Sequence, residues 1–433
     1  MRNKAVIILL SIMMGLSLTA CSGNTTTESI SLKNEETMEA SDEKTMISKE
    51  MDDAYKKEIT VKDSQDVIID TEGTYIISGT SKETCIMVDV EDDDEVNIVL
   101  AGLSITNENR PCIFVENAGK VNISVNDESN SLSVTGEFVT VDSTETDGVI
   151  FSKDDIEIGG TGTLNIMSTA NCITSKDSLI INGGEYVVKC DGNAFEAHDK
   201  IEVYEGSIDI ERCNDGIHAE DNDDDSAGSV YIVNGDIRIN ASDDAIHATT
   251  TLRIDSGTLK LNAAEGLEAT DIQINGGDID IEASDDGINA ANKSSAYKVV
   301  FELNDGNVTI NMAAGDTDGV DSNGDLYING GTINITGQSA FDYDGEAVNN
   351  GGTIIVNGSR TDTISNQEFG GMNGGFKRTD MSEDDRMFGP MGVPQGEVPQ
   401  GEVSQGEVPQ GEVPQGEVPQ GERPQNKVGG KRQ

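Results

Sequence analysis

The sequence predicts an all-β fold, a right-handed single-stranded parallel β-helix (solenoid) with disordered N- and C-terminal flanks. The main observation is a short phrase that recurs between residues 165 and 343: an acidic or amide residue, a small residue, an aliphatic, a variable polar residue and Ala or Ser. Its clearest copies are Asn214-Asp215-Gly216-Ile217-His218-Ala219, Asp243-Asp244-Ala245-Ile246-His247-Ala248, Ala264-Glu265-Gly266-Leu267-Glu268-Ala269, Asp285-Asp286-Gly287-Ile288-Asn289-Ala290 and Thr317-Asp318-Gly319-Val320-Asp321-Ser322. The phrase recurs about every 20 to 30 residues. Repeats of that length mark a solenoid, in which each coil needs a neighbour to bury its apolar face.

Each coil from about residue 160 onward is predicted to hold two strands around a tight turn. Ile272-Gln273-Ile274 leads into the turn Asn275-Gly276-Gly277, and the alternating strand Ile279-Asp280-Ile281 follows. Gly supplies the positive φ of such a turn and Asn tolerates it. An antiparallel sandwich is the competing interpretation, but its turns would recur at about 8–12 residues. The coil is therefore favoured, with turn asparagines stacked as a structural ladder.

The N-terminus predicts export and a lipid anchor. Arg2 and Lys4 precede an apolar run that is too short for a membrane span and that ends in Leu18-Thr19-Ala20-Cys21. This ending resembles a bacterial lipoprotein signal, which implies cleavage before Cys21, lipidation of its thiol and attachment to the extracellular face of the cell membrane. An ordinary secreted protein is the alternative.

Composition changes divide the chain into four predicted segments. Residues 1–20 are the signal peptide, 21–57 a flexible tether, 58–360 the β-helix, and 361–433 a disordered Gly- and Met-rich segment followed by Gln-Gly-Glu-Val-Pro repeats. The tether and the repeat tail lack an apolar face to bury, so neither is expected to fold alone.

The net charge restricts the partners. The chain has 80 acidic residues against 29 Lys and Arg, a net charge of -51. This charge argues against nucleic acid or anionic lipid as a direct partner, so membrane contact is expected only through the anchor at Cys21. Aromatic residues make up only 4% of the chain, which disfavours an aromatic platform for sugar rings, and three His are too few for a histidine-rich metal site.

The remaining cysteines have no metal-finger spacing. They are predicted to be small apolar core residues rather than disulfide partners, although Cys190 and Cys213 lie one coil apart and could come close. They are Cys85, Cys112, Cys172, Cys190 and Cys213.

Stacked coils would align the acidic residues of the phrase. One line is predicted to hold Asp215, Asp244, Glu265, Asp286 and Asp318, and a second to hold Glu196, His218, His247, Glu268, Asn289, Asp321 and Asp342. Neighbouring carboxylates about 4.8 Å apart repel by roughly 0.9 kcal/mol in water and about 3–4 kcal/mol at an effective dielectric near 20. Local Lys and Arg are expected to be too few to neutralise them, whereas Ca²⁺ accepts several oxygen ligands with loose geometry.

The sequence therefore predicts bound Ca²⁺ along these lines. The candidate ligands are Asp215, Asp243, Asp244, Glu265, Glu268, Asp285, Asp286, Asp318 and Asp321. His218 and His247 are expected to be stacked, outward-facing neighbours rather than ligands. The alternative is that all these side chains extend into water as a screened acidic face.

Several phrases in order resemble a known family over about residues 58–356. They are Gly73-Thr74-Tyr75-Ile76-Ile77-Ser78-Gly79-Thr80, Ile150-Phe151-Ser152-Lys153-Asp154-Asp155-Ile156, Gly160-Thr161-Gly162-Thr163-Leu164 and the Asp-Gly-Ile-x-Ala repeats. The chain resembles bacterial extracellular carbohydrate-binding proteins built as right-handed parallel β-helices, related in shape to calcium-dependent pectate lyases. The tail departs from that pattern.

The resemblance implies calcium binding and recognition of cell-wall polysaccharide, chiefly acidic, pectin-like polyuronate, with cellulose as a further ligand. The leading hypothesis is a surface lipoprotein that binds such a polysaccharide. One alternative is a calcium-dependent polysaccharide lyase with Lys176, Lys200 or Lys293 as the base. The other is a non-catalytic adhesin or scaffold.

Overall fold

Successive stretches of the chain pair in parallel, one coil above another. The computed structural model describes residues 56–126, 128–315 and 317–366. The predicted signal peptide with Cys21, nearly all of the tether and the repeat tail lie outside these residues. No helix in these ranges is long and apolar enough to cross a membrane.

The described residues form 33 strands. They are β1 (Lys56–Thr60), β2 (Val67–Ile69), β3 (Gly73–Lys82), β4 (Ile86–Asp89), β5 (Glu95–Asn107), β6 (Ile113–Asn117), β7 (Lys120–Val125), β8 (Ser129–Val134), β9 (Gly148–Ser152), β10 (Ile156–Met167), β11 (Asn171–Ser175), β12 (Ser178–Lys189), β13 (Phe195–Ala197), β14 (Lys200–Cys213), β15 (Ile217–Ala219), β16 (Ser229–Ile232), β17 (Asp236–Ala241), β18 (Asp244–Ala248), β19 (Thr251–Ile254), β20 (Thr258–Ala263), β21 (Glu265–Ala269), β22 (Asp271–Ile274), β23 (Asp278–Ala283), β24 (Ile288–Ala290), β25 (Val300–Leu303), β26 (Asn307–Met312), β27 (Asp318–Ser322), β28 (Asp325–Ile328), β29 (Thr332–Thr336), β30 (Ser339–Tyr343), β31 (Ala347–Asn349), β32 (Thr353–Val356) and β33 (Ser359–Thr361).

These strands build three faces. Face 1 holds the strands before each turn, such as β19, β22 and β25, and face 2 the strands after it, such as β20, β23 and β26. Together they make a 21-stranded sheet, in which longer strands such as β12 bend through both faces. Face 3 is a separate 12-stranded sheet that includes β15, β18, β21, β24 and β27. The predicted all-β parallel β-helix is confirmed.

Face 3 corrects the prediction of two strands per coil. The recurring phrase is itself the third strand of each coil. The face 3 strands β15, β18, β21, β24 and β27 are only three to five residues long. Runs that short, with Gly or Ala inside them, do not display the alternation by which a strand is recognised.

The core is a stack of aliphatic side chains from all three faces. On face 3, Ile217, Ile246, Leu267, Ile288 and Val320 occupy equivalent positions of successive coils, and all are fully buried. Burying one such side chain contributes about 1.5–3 kcal/mol. This row fixes the register, so the polar residue that follows each aliphatic is also stacked on its equivalent.

The predicted asparagine ladder forms at the turns between faces 1 and 2. Asn304 Nδ2 donates to Asn275 Oδ1 at 2.9 Å, and Asn329 Nδ2 donates to Asn304 Oδ1 at 2.7 Å. Asn350 continues the ladder onto Asn329 at 2.7 Å. Gly306 follows Asn304 by two residues with a φ of 94°, a conformation that strains residues with a side chain.

The last coil ends differently from the others. β33 pairs with β32 in antiparallel fashion, whereas the other strand pairs of the described residues are parallel. The two strands are joined by Asn357 and Gly358, whose φ angles of 51° and 75° are those of a tight hairpin turn.

Cys85, Cys112, Cys172, Cys190 and Cys213 are all buried and unbonded to one another. The interpretation of these cysteines as core residues is confirmed, and Cys190 and Cys213 are not joined by a disulfide.

Candidate functional site

The phrase presents two lines of polar side chains on face 3. By strand register the first line runs through Asp215, Asp244, Glu265, Asp286 and Asp318, and the second through Glu196, His218, His247, Glu268, Asn289, Asp321 and Asp342. Both lines have the order expected from the sequence. The coil geometry therefore brings together residues that are 21 to 32 positions apart.

Side chains of the first line cap the backbone of the next coil. Asp215 Oδ1 accepts the N–H of Asp244 at 3.0 Å, and Asp286 Oδ1 accepts the N–H of Asp318 at 3.0 Å. Further upstream, Asn171 Oδ1 accepts the N–H of Asn193 at 2.8 Å in the same way. An amide oxygen therefore serves this structural purpose as well as a carboxylate, so the negative charge of the downstream residues requires a separate explanation.

His247 and Lys293 neutralise carboxylates in the upstream half of the two lines. This half comprises Asp215 and Asp244 of the first line and Glu196, His218, His247 and Glu268 of the second. His247 Nδ1 lies 2.7 Å from Glu268 Oε2 and 3.1 Å from Asp244 Oδ2. Lys293 Nζ lies 2.7 Å from Glu268 Oε1. The expectation that Lys and Arg are too scarce to neutralise the lines is therefore wrong here, because Lys293 reaches the line from the loop after β24, outside the phrase.

The histidines stack as expected but do not both face outward. The rings of His218 and His247 are 4.6 Å apart between centroids and 11° from parallel. The prediction of an outward-facing pair is wrong for His247, which is only 6% exposed. The side chains of Asp215, Asp244 and Glu268 are likewise buried, which contradicts the alternative of side chains extended into water.

The pKa values reflect this upstream neutralisation. Burial opposes ionisation of both His247 and Glu268, but their mutual contact overcomes it. The neighbouring carboxylates Asp244 and Glu268 raise the pKa of His247 to about 9, and His247 with Lys293 lowers the pKa of Glu268 to about 2. Both groups are therefore held in their charged forms at neutral pH.

The downstream half of the two lines has only carboxylate, amide and hydrocarbon groups in its side chains; it comprises Glu265, Asp286 and Asp318 of the first line and Asn289, Asp321 and Asp342 of the second. Burial raises the pKa of Asp286 to about 7, and burial together with Asp342 raises the pKa of Asp321 to about 6. Burial and the nearby Glu268 raise the pKa of Glu265 to about 8. Within the described ranges, no Lys or Arg side chain forms an ion pair with these three carboxylates.

An unpaired acceptor lies among them. Asn289 Nδ2 donates to Glu265 Oε2 at 3.0 Å and to Glu268 Oε1 at 3.3 Å, while its buried Oδ1 has no hydrogen-bond partner in the described part of the chain. Carboxylate and amide oxygens without a neighbouring cation are the donors that Ca²⁺ prefers. The downstream residues thus fit calcium, and the upstream residues are already neutralised.

Two predicted ligands lie outside the two lines. Asp243 and Asp285 each come one residue before the first line, and their side chains are exposed. Asp243 lies two coils upstream of Asp286, whereas the charge of Asp285 contributes to the raised pKa of Asp286 although its own side chain is exposed. Sequence reasoning also missed His247 and Lys293 as partners of the line; the position of His247 in the phrase was visible, but its burial was not.

The lysines considered as catalytic bases are all in ion pairs. Lys176 Nζ lies 3.6 Å from Glu196 Oε1, and Lys200 Nζ lies 3.1 Å from Glu202 Oε1. Lys293 pairs with Glu268, and although burial opposes it, this contact raises the pKa of Lys293 above its usual value. A lysine held as a cation is poorly suited to remove a proton.

An open groove of about 420 Å³ lies on face 2. Arg238 and Lys260 occupy equivalent positions of successive coils in it, followed by Asp280. Asn240 and Asn262 form a parallel row, with Asn262 Nδ2 3.4 Å from Asn240 Oδ1. Two cations and a row of amides give this surface hydrogen-bond donors, while the carboxylates of Asp280 and Glu282 line the same groove.

The fold and the site define a class of protein, a parallel β-helix with stacked acidic, amide and histidine side chains along one face and a polar groove on another face. A family model described as a carbohydrate-binding domain-containing protein matches residues 63–316 and 263–376. The chain belongs to that family.

A curated relative from Acetivibrio thermocellus has the same description, "Carbohydrate-binding domain-containing protein". It is 29% identical over 193 residues, which cover 44% of this chain and 66% of the relative, just under two thirds of its length. A solved structure titled as a polysaccharide lyase-like protein from C. thermocellum, a gadolinium derivative, is 23% identical with a TM-score of 0.40, covering 68% of this chain and 96% of that one.

Proposed function

We propose that this protein is a lipid-anchored cell-surface protein that binds an acidic, polyuronate-like polysaccharide through calcium. The observation that carries the proposal is the downstream half of the two lines, where the carboxylates of Asp286 and Asp321 form no ion pair with Lys or Arg within the described residues and Asn289 Oδ1 is buried without a hydrogen-bond partner there. Membership of a carbohydrate-binding family supports the class of ligand.

Asp286, Asn289, Asp318 and Asp321 would hold the calcium. Neighbouring coils are about 4.8 Å apart, which is about twice a Ca²⁺–oxygen distance of roughly 2.3–2.6 Å. An ion between two coils could therefore reach stacked oxygens of both. When bound, calcium supplies positive charge that favours the ionised carboxylates and can also accept oxygen ligands from a sugar.

Bound calcium would reduce the electrostatic repulsion between this acidic protein and an acidic polysaccharide. A chain with a net charge of -51 repels a polyuronate, and the repulsion falls only where cations are fixed on the surface. The groove on face 2 provides two more cations, Arg238 and Lys260. Arg238 Nη2 already contacts Asp209 Oδ2 at 2.5 Å, whereas Lys260 forms no ion pair with any described residue.

The anchor and the location are proposed from the sequence. Lipidation of Cys21 and the tether of residues 21–57 would hold the β-helix at the extracellular face of the membrane, where calcium and cell-wall polysaccharide are both available. Substitution of Cys21 by Ser should release the protein from membranes. Retention of the Cys21→Ser variant would contradict the anchor.

Calorimetry with the full chain tests the function. Calcium is titrated with and without polygalacturonate, and polygalacturonate is titrated with and without chelator. We expect calcium uptake first and glycan binding only with calcium. The variants Asp286→Asn and Asp321→Asn should weaken both, whereas the matched control Asp243→Asn, an exposed acidic residue two coils upstream of Asp286, should weaken neither.

Other outcomes identify other functions. Glycan binding that survives chelation would contradict the calcium mechanism. Calcium binding without affinity for any glycan would indicate a scaffold, and release of unsaturated uronides into solution would indicate a lyase.

A further inference from the structure

The two stacked histidines are oriented alike. His218 Nδ1 lies 2.9 Å from Asp215 Oδ2, and His247 Nδ1 lies 3.1 Å from Asp244 Oδ2. Asp215 and Asp244 are equivalent residues of neighbouring coils, and the rings are nearly parallel. Both Nε2 atoms therefore point to the same side, away from the first line.

A third ligand atom lies on that side. His218 Nε2 is 3.2 Å from Glu220 Oε2, and one ligand atom each of His218, Glu220 and His247 lie within 4.8 Å of one another. His247 is only 6% exposed, and its buried Nε2 has no hydrogen-bond partner among the described residues. A buried ring nitrogen without a partner is unfavourable and calls for an explanation.

The contacts of the Nδ1 atoms have a chemical consequence. A carboxylate beside Nδ1–H makes the opposite ring nitrogen a better ligand once that nitrogen has lost its proton, and a metal ion bound at Nε2 of the charged His247 would displace that proton. Asp244 and Glu268 contact Nδ1 of His247 in this way. Asp215 Oδ2 lies 2.9 Å from Nδ1 of His218 as an ion-pair neighbour, but that nitrogen forms no hydrogen bond within the described residues. The carboxylates beside the rings are placed as outer partners of a metal site.

We propose that His218 and His247, ligating through Nε2, form with Glu220 a site for a borderline transition-metal ion such as Zn²⁺. Two imidazoles and one carboxylate are a common protein ligand set for zinc, and they differ from the all-oxygen set that suits calcium. The ring centroids are 4.6 Å apart, so shared ligation requires the Nε2 edges to tilt toward each other.

The site is open to solvent on one side. The side chain of Glu220 is 40% exposed and that of His218 is 16% exposed, so an ion can enter from this side and a water molecule can complete its coordination. The site lies two coils upstream of Asn289 in the second line. It is therefore separate from the proposed calcium ligands and does not depend on the proposed function.

Zinc titration of the full, chelator-stripped chain tests this proposal, with excess calcium present to fill the oxygen-only group. The variants are His218→Asn and His247→Asn, because Asn289 already occupies the equivalent position of a later coil. The control is His198→Asn, since His198 Nε2 contacts Lys176 Nζ at 3.2 Å and belongs to neither line. Each test variant should lower zinc affinity by at least about tenfold, the lower end of the loss caused by changing even an outer partner.

A spectroscopic readout accompanies the titration. Cobalt bound in place of zinc should give visible absorption that the His198→Asn variant keeps and the His218→Asn variant loses. If His247→Asn fails to fold, Glu220→Gln tests the site instead. The Glu220 side chain is partly exposed, so this variant should fold, and removal of the carboxylate should also weaken zinc binding. Wild-type zinc affinity in His218→Asn and Glu220→Gln, or no zinc uptake by the wild-type chain, would overturn the proposal.

Discussion

Asp286 Oδ1 accepts the backbone N–H of Asp318 at 3.0 Å, so a carboxylate of one coil caps the main chain of the next. The same group has a pKa raised by burial to about 7, which means that its charge is disfavoured in the folded, metal-free protein. One side chain thus combines a structural contact that only needs an oxygen with a charge that the fold alone does not stabilise.

Substitution at Asp286 should separate these two roles. Asp286→Asn keeps an acceptor for the N–H of Asp318, as Asn171 does for Asn193, so its metal-free stability should equal or exceed that of the wild type. Asp286→Ala removes the acceptor and should cost about 1–2 kcal/mol. Denaturant unfolding in chelator measures both, and equal loss in the two variants would contradict the assignment.

The metal-free protein should become less stable as the pH rises from about 4 to about 9. Glu265 and Asp286 have folded pKa values of about 8 and about 7, above those of an unfolded chain, so they favour the folded state at low pH and lose this effect as the pH rises through those values. His247, with a pKa raised to about 9, acts in the same direction because it is most favourable while protonated.

Thermal unfolding midpoints at several pH values, with chelator or with saturating calcium, check this prediction. Calcium should flatten the dependence, because a bound ion favours the ionised carboxylates. Parallel curves in the two conditions would argue against calcium at these residues.

Lys293→Met should destabilise the fold by removing a cation from the buried Glu268. Breaking a fully buried pair costs about 3–5 kcal/mol, but the Lys293 side chain is 38% exposed, so we expect about 1–2 kcal/mol after solvent screening. The double variant Lys293→Met with Glu268→Gln should recover part of this loss. Lys260→Met, an exposed lysine outside any ion pair of the described residues, serves as the stability control.

Asn304→Ala should break the asparagine ladder in its middle. It removes hydrogen bonds to Asn275 and from Asn329, of 2.9 and 2.7 Å, and should cost about 1–2 kcal/mol. Asn234→Ala is the matched control, because Asn234 occupies an equivalent turn but forms no side-chain hydrogen bond within the described chain. Similar unfolding midpoints for the two variants would assign the ladder no energetic weight.

Lys260→Ala should weaken polyuronate binding without changing calcium uptake. Lys260 lies in the groove on face 2, away from the proposed calcium ligands, and its charge is available to a sugar carboxylate. Arg238→Ala should have a smaller effect, since Arg238 already pairs with Asp209. Calorimetry with each titrant in turn separates the two quantities, and unchanged glycan affinity in Lys260→Ala would exclude the groove.

Much of this architecture could be predicted because a solenoid repeats itself. Residues such as Asp244 and Glu265 stack if their phrases are aligned, and the alignment is visible in the sequence. The turn at Asn275 and the alternation of Ile279 and Ile281 likewise depend on local backbone chemistry alone. These features need no knowledge of contacts between distant segments.

The remaining features depend on such contacts. Lys293 reaches Glu268 from a loop whose path no repeat pattern describes. The burial of His247 follows from its side-chain neighbours in adjacent coils, and nothing in the phrase distinguishes it from the more exposed His218. The third strand of each coil is too short to display a period of its own. Neutralisation of the upstream half was missed for these reasons.

The antiparallel hairpin of β32 and β33 bears on self-association. A parallel stack has no intrinsic end, because its last strand offers the same unsatisfied backbone groups to a second molecule that it would offer to a further coil. At Ile354 to Val356 those groups are already paired with Thr361 to Ser359, running in the opposite direction. An incoming chain in parallel register finds this edge of face 2 occupied, so the hairpin acts against growth of end-to-end fibres.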